Sequence, residues 1–541
     1  MSRAVILYLW TMFIRRKRNK SGTYSVQVIS KFDGRYKLEM SFGSSSDEKI
    51  LKDLEYRASE WIAQYRGQTV IDFSDSGCNE DLRLTTEGVL DAIDKVLLNG
   101  PHLILSRIYD SIGFDRIEDG MLRELAIARV CEPMSKLATI GYLKRRFDKD
   151  VALHDVYRYM DKLYRTQRDL IQQISVDHTR KILGGRIGIV FYDVTTLYFE
   201  TSREDGLRAP GFSKDGKTSE SQVVLGLLVS RNGYPLSYSL FNGSQFEGRT
   251  MLPIVDDFVQ RFNLTDFVVV SDAGLMSRKN IALLKSAGYK FILGGRIKKE
   301  AESVKDWLFS LKKVNGCVHQ KPMANGERLI VGYSEKRAEK DALNRKKGID
   351  RLEKAYKSGK VSKRNINQRG YNKFLKIEND VAVSIDYGKI GEDAQWDGWK
   401  SYVTNTDFPP EEVISLYREL WVVERAFRIS KGTLEMRPIF HFTEKRIESH
   451  VCICFVAYKL YKELERVIQM MNLGLSVDAV IDIAKTVPTL VLELPDGQMI
   501  TRTIFNTRDQ QLIRPLFPNS LFGCPIVEVR KWRILAVNSG M

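Results

Sequence analysis

The sequence holds 541 residues, 43% of them apolar and 28% charged, with 84 Lys and Arg against 68 Asp and Glu and a formal charge of +16. That composition excludes a wholly disordered chain, since enough apolar surface is available to offset conformational entropy, and the length predicts three or four folding units at roughly 100 to 200 residues each. The six cysteines (Cys78, Cys131, Cys317, Cys452, Cys454, Cys524) are too sparse for a disulfide scaffold, and a pI near 9.3 selects a polyanionic partner, nucleic acid or a membrane surface.

The membrane option finds no segment to carry it. Val5 to Trp10 is a six-residue apolar run, about a third of the ~20 residues a spanning helix needs, and Arg15 to Arg18 follow it instead of preceding it, the wrong order for a signal peptide. Met12 opens a sensible start of its own, so residues 1–11 read as an upstream extension. A soluble, cytoplasmic, nucleoid-associated protein with no membrane partner is expected.

Residues 1–46 form a basic β-hairpin region. TYSVQVISKF and RYKLEMSF alternate with period two around Asp33-Gly34, a hairpin turn. The flank Arg15 to Lys20 is either a solvated strand end or a DNA-contacting arm. Residues 47–183 change to helical spacing, as in LKDLEYRASEWIAQY and HDVYRYMDKLYRTQRDLIQQI, with no strand signal. This helical domain is either a DNA reader or a scaffold. Residues 184–296 return to strands: GIVFYD (188–193), VVLGLLV (223–229), YPLSYSLF (234–241), a helix over 248–262, DFVVVSD (266–272), a helix through 280–288, and KFILGGR (290–296). Three strands, helix, strand, helix, strand is the order of a ribonuclease-H-like α/β core, a mixed sheet that begins with an antiparallel meander.

Residues 297–402 interrupt that core as a β-containing insertion. Between Lys336 and Lys376 fifteen Lys and Arg face four Asp and Glu, a surplus of eleven that a solvated helix of mixed sign does not require and that favours contact with a polyanion. The core resumes over 403–475. A long helix begins after Pro410, with Glu411 and Glu412 in its first turn, and runs to Gly432; a second covers 444–471 and carries Cys452 and Cys454, read as core residues. Residues 476–541 form a C-terminal region of short strands and turns.

Asp193 ends GIVFYD and Asp272 ends FVVVSD. A carboxylate at the end of an apolar strand is costly unless something compensates it, and two on adjacent central strands suit a hard cation such as Mg²⁺. On an ideal helix Tyr417, Leu420, Glu424 and Lys431 fall within about 60° of one another, beside the packing stripe Leu416, Leu420, Val423 and Phe427, while Glu419 points away. Glu424 is therefore the third acid. The scattered histidines, His441 and His450 included, and the GGRIG stretch at 184–188 support neither nucleophilic nor dinucleotide chemistry.

FYDVTT, VVVSDAGLMS and the spacing Tyr417-x2-Leu420-x3-Glu424-x6-Lys431 resemble the DDE transposases of prokaryotic insertion sequences, in the superfamily named for a Tyr-x2-Arg-x3-Glu-x6-Lys signature. GLLVSRNGYPLSYSLFNGS, TNTDFPPEEVISLYREL and RIESHVCICFVAY add to the resemblance, which spans most of residues 13–470; Leu420 stands where the signature has arginine, with Arg418, Arg425 or Arg428 as nearby cations. The resemblance implies that Asp193, Asp272 and Glu424 hold two Mg²⁺ or Mn²⁺ ions about 4 Å apart for in-line displacement. It implies that Tyr417, Lys431 and Arg428 contact DNA phosphates. It further implies cleavage at element ends, strand transfer into target DNA, double-stranded DNA as partner, and a homodimer or larger assembly. A structure-specific nuclease on the same core and a non-catalytic DNA-binding repressor are the alternatives.

Overall fold

The computed structural model describes residues 11–32, 35–65, 88, 90–211, 220–245, 249–264, 267–275, 277–358, 370–378, 382–494 and 497–518. The readings at Val5 to Trp10, the Asp33-Gly34 turn, Cys78, Cys524 and the last strand signals toward Arg530 lie outside them. The chain divides into two compact units, residues 1–94 with 492–497, and residues 95–491 with 498–541.

In the first unit, β1 (Thr11–Arg18), β2 (Tyr24–Phe32) and β3 (Arg35–Ser45) form an antiparallel sheet in chain order, and α1 (Glu48–Tyr65) packs on one face. Period-two alternation sends Met12, Ile14, Val26 and Val28 toward Leu51, Leu54 and Ala58 of the helix. The arginine-rich stretch is thus a strand, one more than the hairpin reading provides. Arg16, on the helix side, pairs with Glu48 and Glu55 at 2.7 and 2.6 Å.

The second unit opens with helices α2 (Gly100–Ile112), α3 (Gly120–Cys131), α4 (Lys136–Phe147), α5 (Leu153–Thr166) and α6 (Arg168–Ile182). A short strand, Ile93–Leu97, lies in the stretch read as entirely helical. The core strands follow: β4 (Ile189–Tyr198), β5 (Gln222–Ser230), β6 (Pro235–Asn242), β7 (Val268–Ser271) and β8 (Lys290–Gly294), with α7 (Met251–Phe262) and α8 (Arg278–Ser286) between them. β4, β5 and β6 make the expected antiparallel meander, and β7 and β8 add in parallel on the other side of β4.

The insertion does not stand apart from this sheet. Its strands β9 (Val318–Pro322), β10 (Arg328–Tyr333) and β13 (Trp399–Thr404) extend it antiparallel from β8, giving eight strands in the order β9-β10-β13-β8-β7-β4-β5-β6. Between β10 and β13 lie the helix α10 (Glu335–Lys357), preceded in the chain by α9 (Glu302–Ser310), a two-stranded ladder of β11 (Leu375–Glu378) and β12 (Ala382–Ile385), and α11 (Tyr387–Ala394). Arg345 of α10 pairs with Asp397 and, at 3.8 Å, with Asp393, which also holds Lys298 and Lys373. Part of the basic surplus is therefore structural.

Alternation along the strands sorts the core into two layers. Val190, Tyr192, Val269, Phe291 and Leu293 face α7, α8 and α9; Phe191, Val268, Val270, Ile292 and Tyr402 face α12 (Pro410–Arg418), α13 (Trp421–Arg428) and α14 (Glu444–Met470). Helix α14 is buried along most of its length, Glu448, His450, Lys459 and Glu463 included, as a central helix can be when its polar groups find partners, and Cys452 and Cys454 are free thiols within it, in agreement with the core reading. No helix among the described residues is long and apolar enough to cross a membrane.

Candidate catalytic site

The sheet register brings the two aspartates together. Tyr192 of β4 pairs in parallel with Ser271 of β7, so the next residue on each chain, Asp193 and Asp272, stands on neighbouring strands about 4.8 Å apart in the pairing direction. Both share the parity of Phe191 and Val270, so both face the layer of α12 and α13. Asp193 does not end its strand, contrary to the sequence reading. The following VTTLY is rich in β-branched residues and buried, and β4 continues to Tyr198. Asp193 accepts the Val194 N–H at 2.8 Å; β7 does end at Ser271, just before Asp272.

The long helix over 410–432 is divided. The N–H groups of Leu420, Val422 and Val423 reach carbonyls three residues back at 3.2, 2.9 and 3.1 Å, a 3₁₀ turn between α12 and α13, and Ile429–Thr433 closes the segment as a π turn. Within it Leu416, Leu420, Val423 and Phe427 are buried as expected. Glu419 does point away, bound by Arg231 at 2.6 and 2.7 Å. α12 packs over β7, β8 and β13, and α13 over β4 and β5, so the pair crosses the strands that carry the aspartates. Glu424 is exposed on α13, Arg428 is exposed in its last turn, and Lys431 sits half-buried in the π turn.

Tyr417 is buried, and its hydroxyl donates to Asp272 Oδ1 at 2.6 Å. Burial alone would raise the Asp272 carboxyl, but the Tyr417 bond, the Ala273 and Gly274 N–H groups and the Lys400 charge outweigh it and hold the group below the ordinary carboxylate range. Burial, then the same bond, pushes the Tyr417 phenol up. Arg296 donates to the carbonyls of Ala273 and Gly274, each at 2.8 Å, fixing the turn that follows Asp272.

Sequence reasoning missed Lys400 on β13. Its ammonium lies 4.4 Å from the Tyr417 ring centre and 5.7 Å from that of Tyr402, and it feels the charges of both Asp272 and Glu424. Burial, then Arg337, lowers it despite those acids. It is a cation whose charge acts on Asp272 in a chain whose signature arginine is replaced by the buried Leu420; Arg425 is committed to Glu465 on α14. Gly294 was missed as well. A Cβ there would collide with the Tyr417 hydroxyl and the Ala273 nitrogen, so glycine is what lets the phenol reach Asp272. The insertion was read as β-containing from its sequence, but only the pairing of β13 with β8 reveals what Lys400 adjoins.

Asp193, Asp272 and Glu424 offer hard carboxylate oxygens of the kind Mg²⁺ and Mn²⁺ take, and Lys400 is a counter-charge to Asp272 and Glu424. Among the described residues no three His, Cys, Asp or Glu side chains are grouped tightly enough to hold an ion as they stand. The donor set fits a divalent cation by chemistry, with Tyr417 on one oxygen of Asp272.

The family described as "Transposase DDE domain" matches residues 184–460. No curated protein matches the chain. Among solved structures, similarity is found to the cryo-EM structure of the piggyBac transposase synaptic complex with hairpin DNA, at 9% identity over 67% of this chain and 68% of that one, with a TM-score of 0.35. The Mos1 transposase paired-end complex with left transposon end is similar at 11% identity over 33% and 64%, with a TM-score of 0.15.

Proposed function

The chain belongs to the DDE-domain transposase family, and from that premise we propose that it is an enzyme of DNA recombination that cuts at element ends and joins the freed 3′-hydroxyl to target DNA on a ribonuclease-H-like core. The observation that carries the proposal is the register of β4 and β7, which supports a pair of carboxylates under the helix that bears Glu424. Asp193, Asp272 and Glu424 would hold two Mg²⁺ or Mn²⁺ ions, which when bound supply Lewis-acid activation of the attacking and leaving oxygens. Tyr417 keeps Asp272 ionised and oriented, and Lys400 balances the acids before substrate arrives. Lys431 and Arg428 stand on the same segment as Glu424 and are the proposed phosphate contacts, with double-stranded DNA as partner and a homodimer or larger assembly pairing two ends. Tyr417 is also proposed to meet DNA, by moving its hydroxyl from Asp272 to a phosphate.

The test is cleavage and strand transfer with Mg²⁺ on duplexes taken from the DNA on either side of the gene, comparing wild type with Asp193→Ala, Asp272→Ala and Glu424→Ala. Joined product that disappears in each variant is the expected result. Cutting without joining would make the chain a structure-specific nuclease, and DNA binding with no metal-dependent cutting a repressor.

A further inference from the structure

The face of the first-unit sheet turned away from α1 has an unusual make-up. In register across the three strands lie Phe13, Ile29 and Leu38, then Arg15 beside Gln27, Lys17 beside Ser25, and Lys31 beside Tyr36. Ile29 is buried, but Tyr36 is 59% exposed, Leu38 51% and Phe13 39%. The rings of Phe13 and Tyr36 meet edge to face at 6.0 Å, with the Lys31 ammonium 5.5 Å from the Tyr36 ring centre. Charge is divided between the two sides of the sheet. Arg16, facing the helix, is neutralised by Glu48 and Glu55, whereas no carboxylate pairs with Arg15, Lys17 or Lys31 among the described residues. An apolar row flanked by uncompensated cations is poorly matched to water and well matched to a polyanion with apolar edges.

We infer that this open sheet face docks on double-stranded DNA. Three strands about 4.8 Å apart span roughly 10 Å, which fits a B-DNA major groove about 12 Å wide. Arg15, Lys17 and Lys31 reach phosphates and base edges, while Phe13, Tyr36 and Leu38 meet thymine methyls and sugars. The inference rests on the DNA-recombination reading for the identity of the polyanion, and it assigns a surface outside the matched family segment, which begins at residue 184.

The test uses the full chain and a fluorescent random-sequence duplex of about three helical turns, with binding measured across a salt series. The triple variant Arg15→Gln, Lys17→Gln, Lys31→Gln is expected to bind at least about tenfold more weakly, with a salt slope shallower by about 2 to 3. The double variant Tyr36→Ser, Leu38→Ser is expected to bind more weakly with the slope unchanged. Circular dichroism and melting of each variant establish that the sheet is intact, and Arg16→Gln serves as the charge-matched control, expected to lower stability and leave the slope alone. Wild-type affinity and slope in the folded triple variant would overturn the inference, as would a change of oligomeric state in place of DNA affinity, which would make a second copy the occupant. Metal-dependent cutting by the wild type is scored in parallel. Cutting that persists while the triple variant binds normally removes this inference alone, and sheet-dependent binding without cutting removes only the catalytic reading.

Discussion

Tyr417 and Asp272, 145 positions apart in the chain, are joined by a 2.6 Å hydrogen bond in which the phenol donates to the carboxylate. The bond favours the ionised acid, so Asp272 keeps its charge to lower pH than an ordinary carboxyl. Replacing Tyr417 with Phe removes that donor and moves the titration upward. Activity that needs ionised Asp272 should then begin to fail at higher pH as pH falls. The acid limb of the Mg²⁺-dependent cleavage profile checks this, and a limb that does not move rules out Tyr417 as the group that sets the charge. The variant should also lose about 1.5 to 3 kcal/mol of stability, the usual contribution of a hydrogen bond to a charged group.

Gly294→Ala tests the same pair from the other side. The new methyl meets the Tyr417 hydroxyl and the Ala273 backbone, and backbone cannot turn aside as a side chain can. Melting should fall by about 1 to 3 kcal/mol, the range of core overpacking, and cleavage should drop while duplex binding is retained. Equal loss of binding and cleavage would point to general unfolding.

How much of this was legible beforehand follows from what each feature depends on. That Asp193 and Asp272 stand on neighbouring strands could be read beforehand because FYD and FVVVSD are short apolar runs whose neighbours in the sheet follow from element order. Glu424 was singled out because a period of 3.6 marks the face of a helix, and the neighbouring stripe of Leu416, Leu420, Val423 and Phe427 is indeed buried. The turn at Glu419 and Leu420 was invisible, since no Pro or Gly breaks the pattern and the tightening arises from packing across the sheet. Lys400, Arg296 and Gly294 act only through contacts between strands far apart in sequence, which no local spacing encodes.

The basic helix α10 separates into two kinds of cation. Lys346, Lys347, Lys354 and Lys357 are exposed, and changing all four to Gln should make the salt slope of duplex binding shallower by as much as about 3 to 4, with melting unchanged. Arg345 is held by Asp397 and Asp393, so Arg345→Ala should instead cost about 1 to 3 kcal/mol, between exposed and fully buried pairs. A salt slope that stays put in the fourfold variant would assign the surplus charge to some other purpose.

Lys136 is 6% exposed at the start of α4, and burial, then Arg129, brings its ammonium down to about 7. A folded value below the unfolded one means that stability from this site is complete above the unfolded value and lost as pH falls toward 7. Lys136→Met should therefore raise the stability read from melting near pH 6, by on the order of 2 kcal/mol, and the gain should shrink as pH rises through 9. Parallel melting curves at all pH values would refute it.

The ladder from β8 to β13 sets a rule for trimming this protein. Shortening the projection between β10 and β13 removes surface and leaves every ladder of the eight-stranded sheet closed. Cutting out the whole of 297–402 would strip β8 of its outer partner and bare a row of unpaired amides and carbonyls at the margin of an apolar sheet, a template on which chains stack into aggregates. A minimal version of the protein can dispense with the helix that reaches outward, but must keep the strands that seal the sheet behind it.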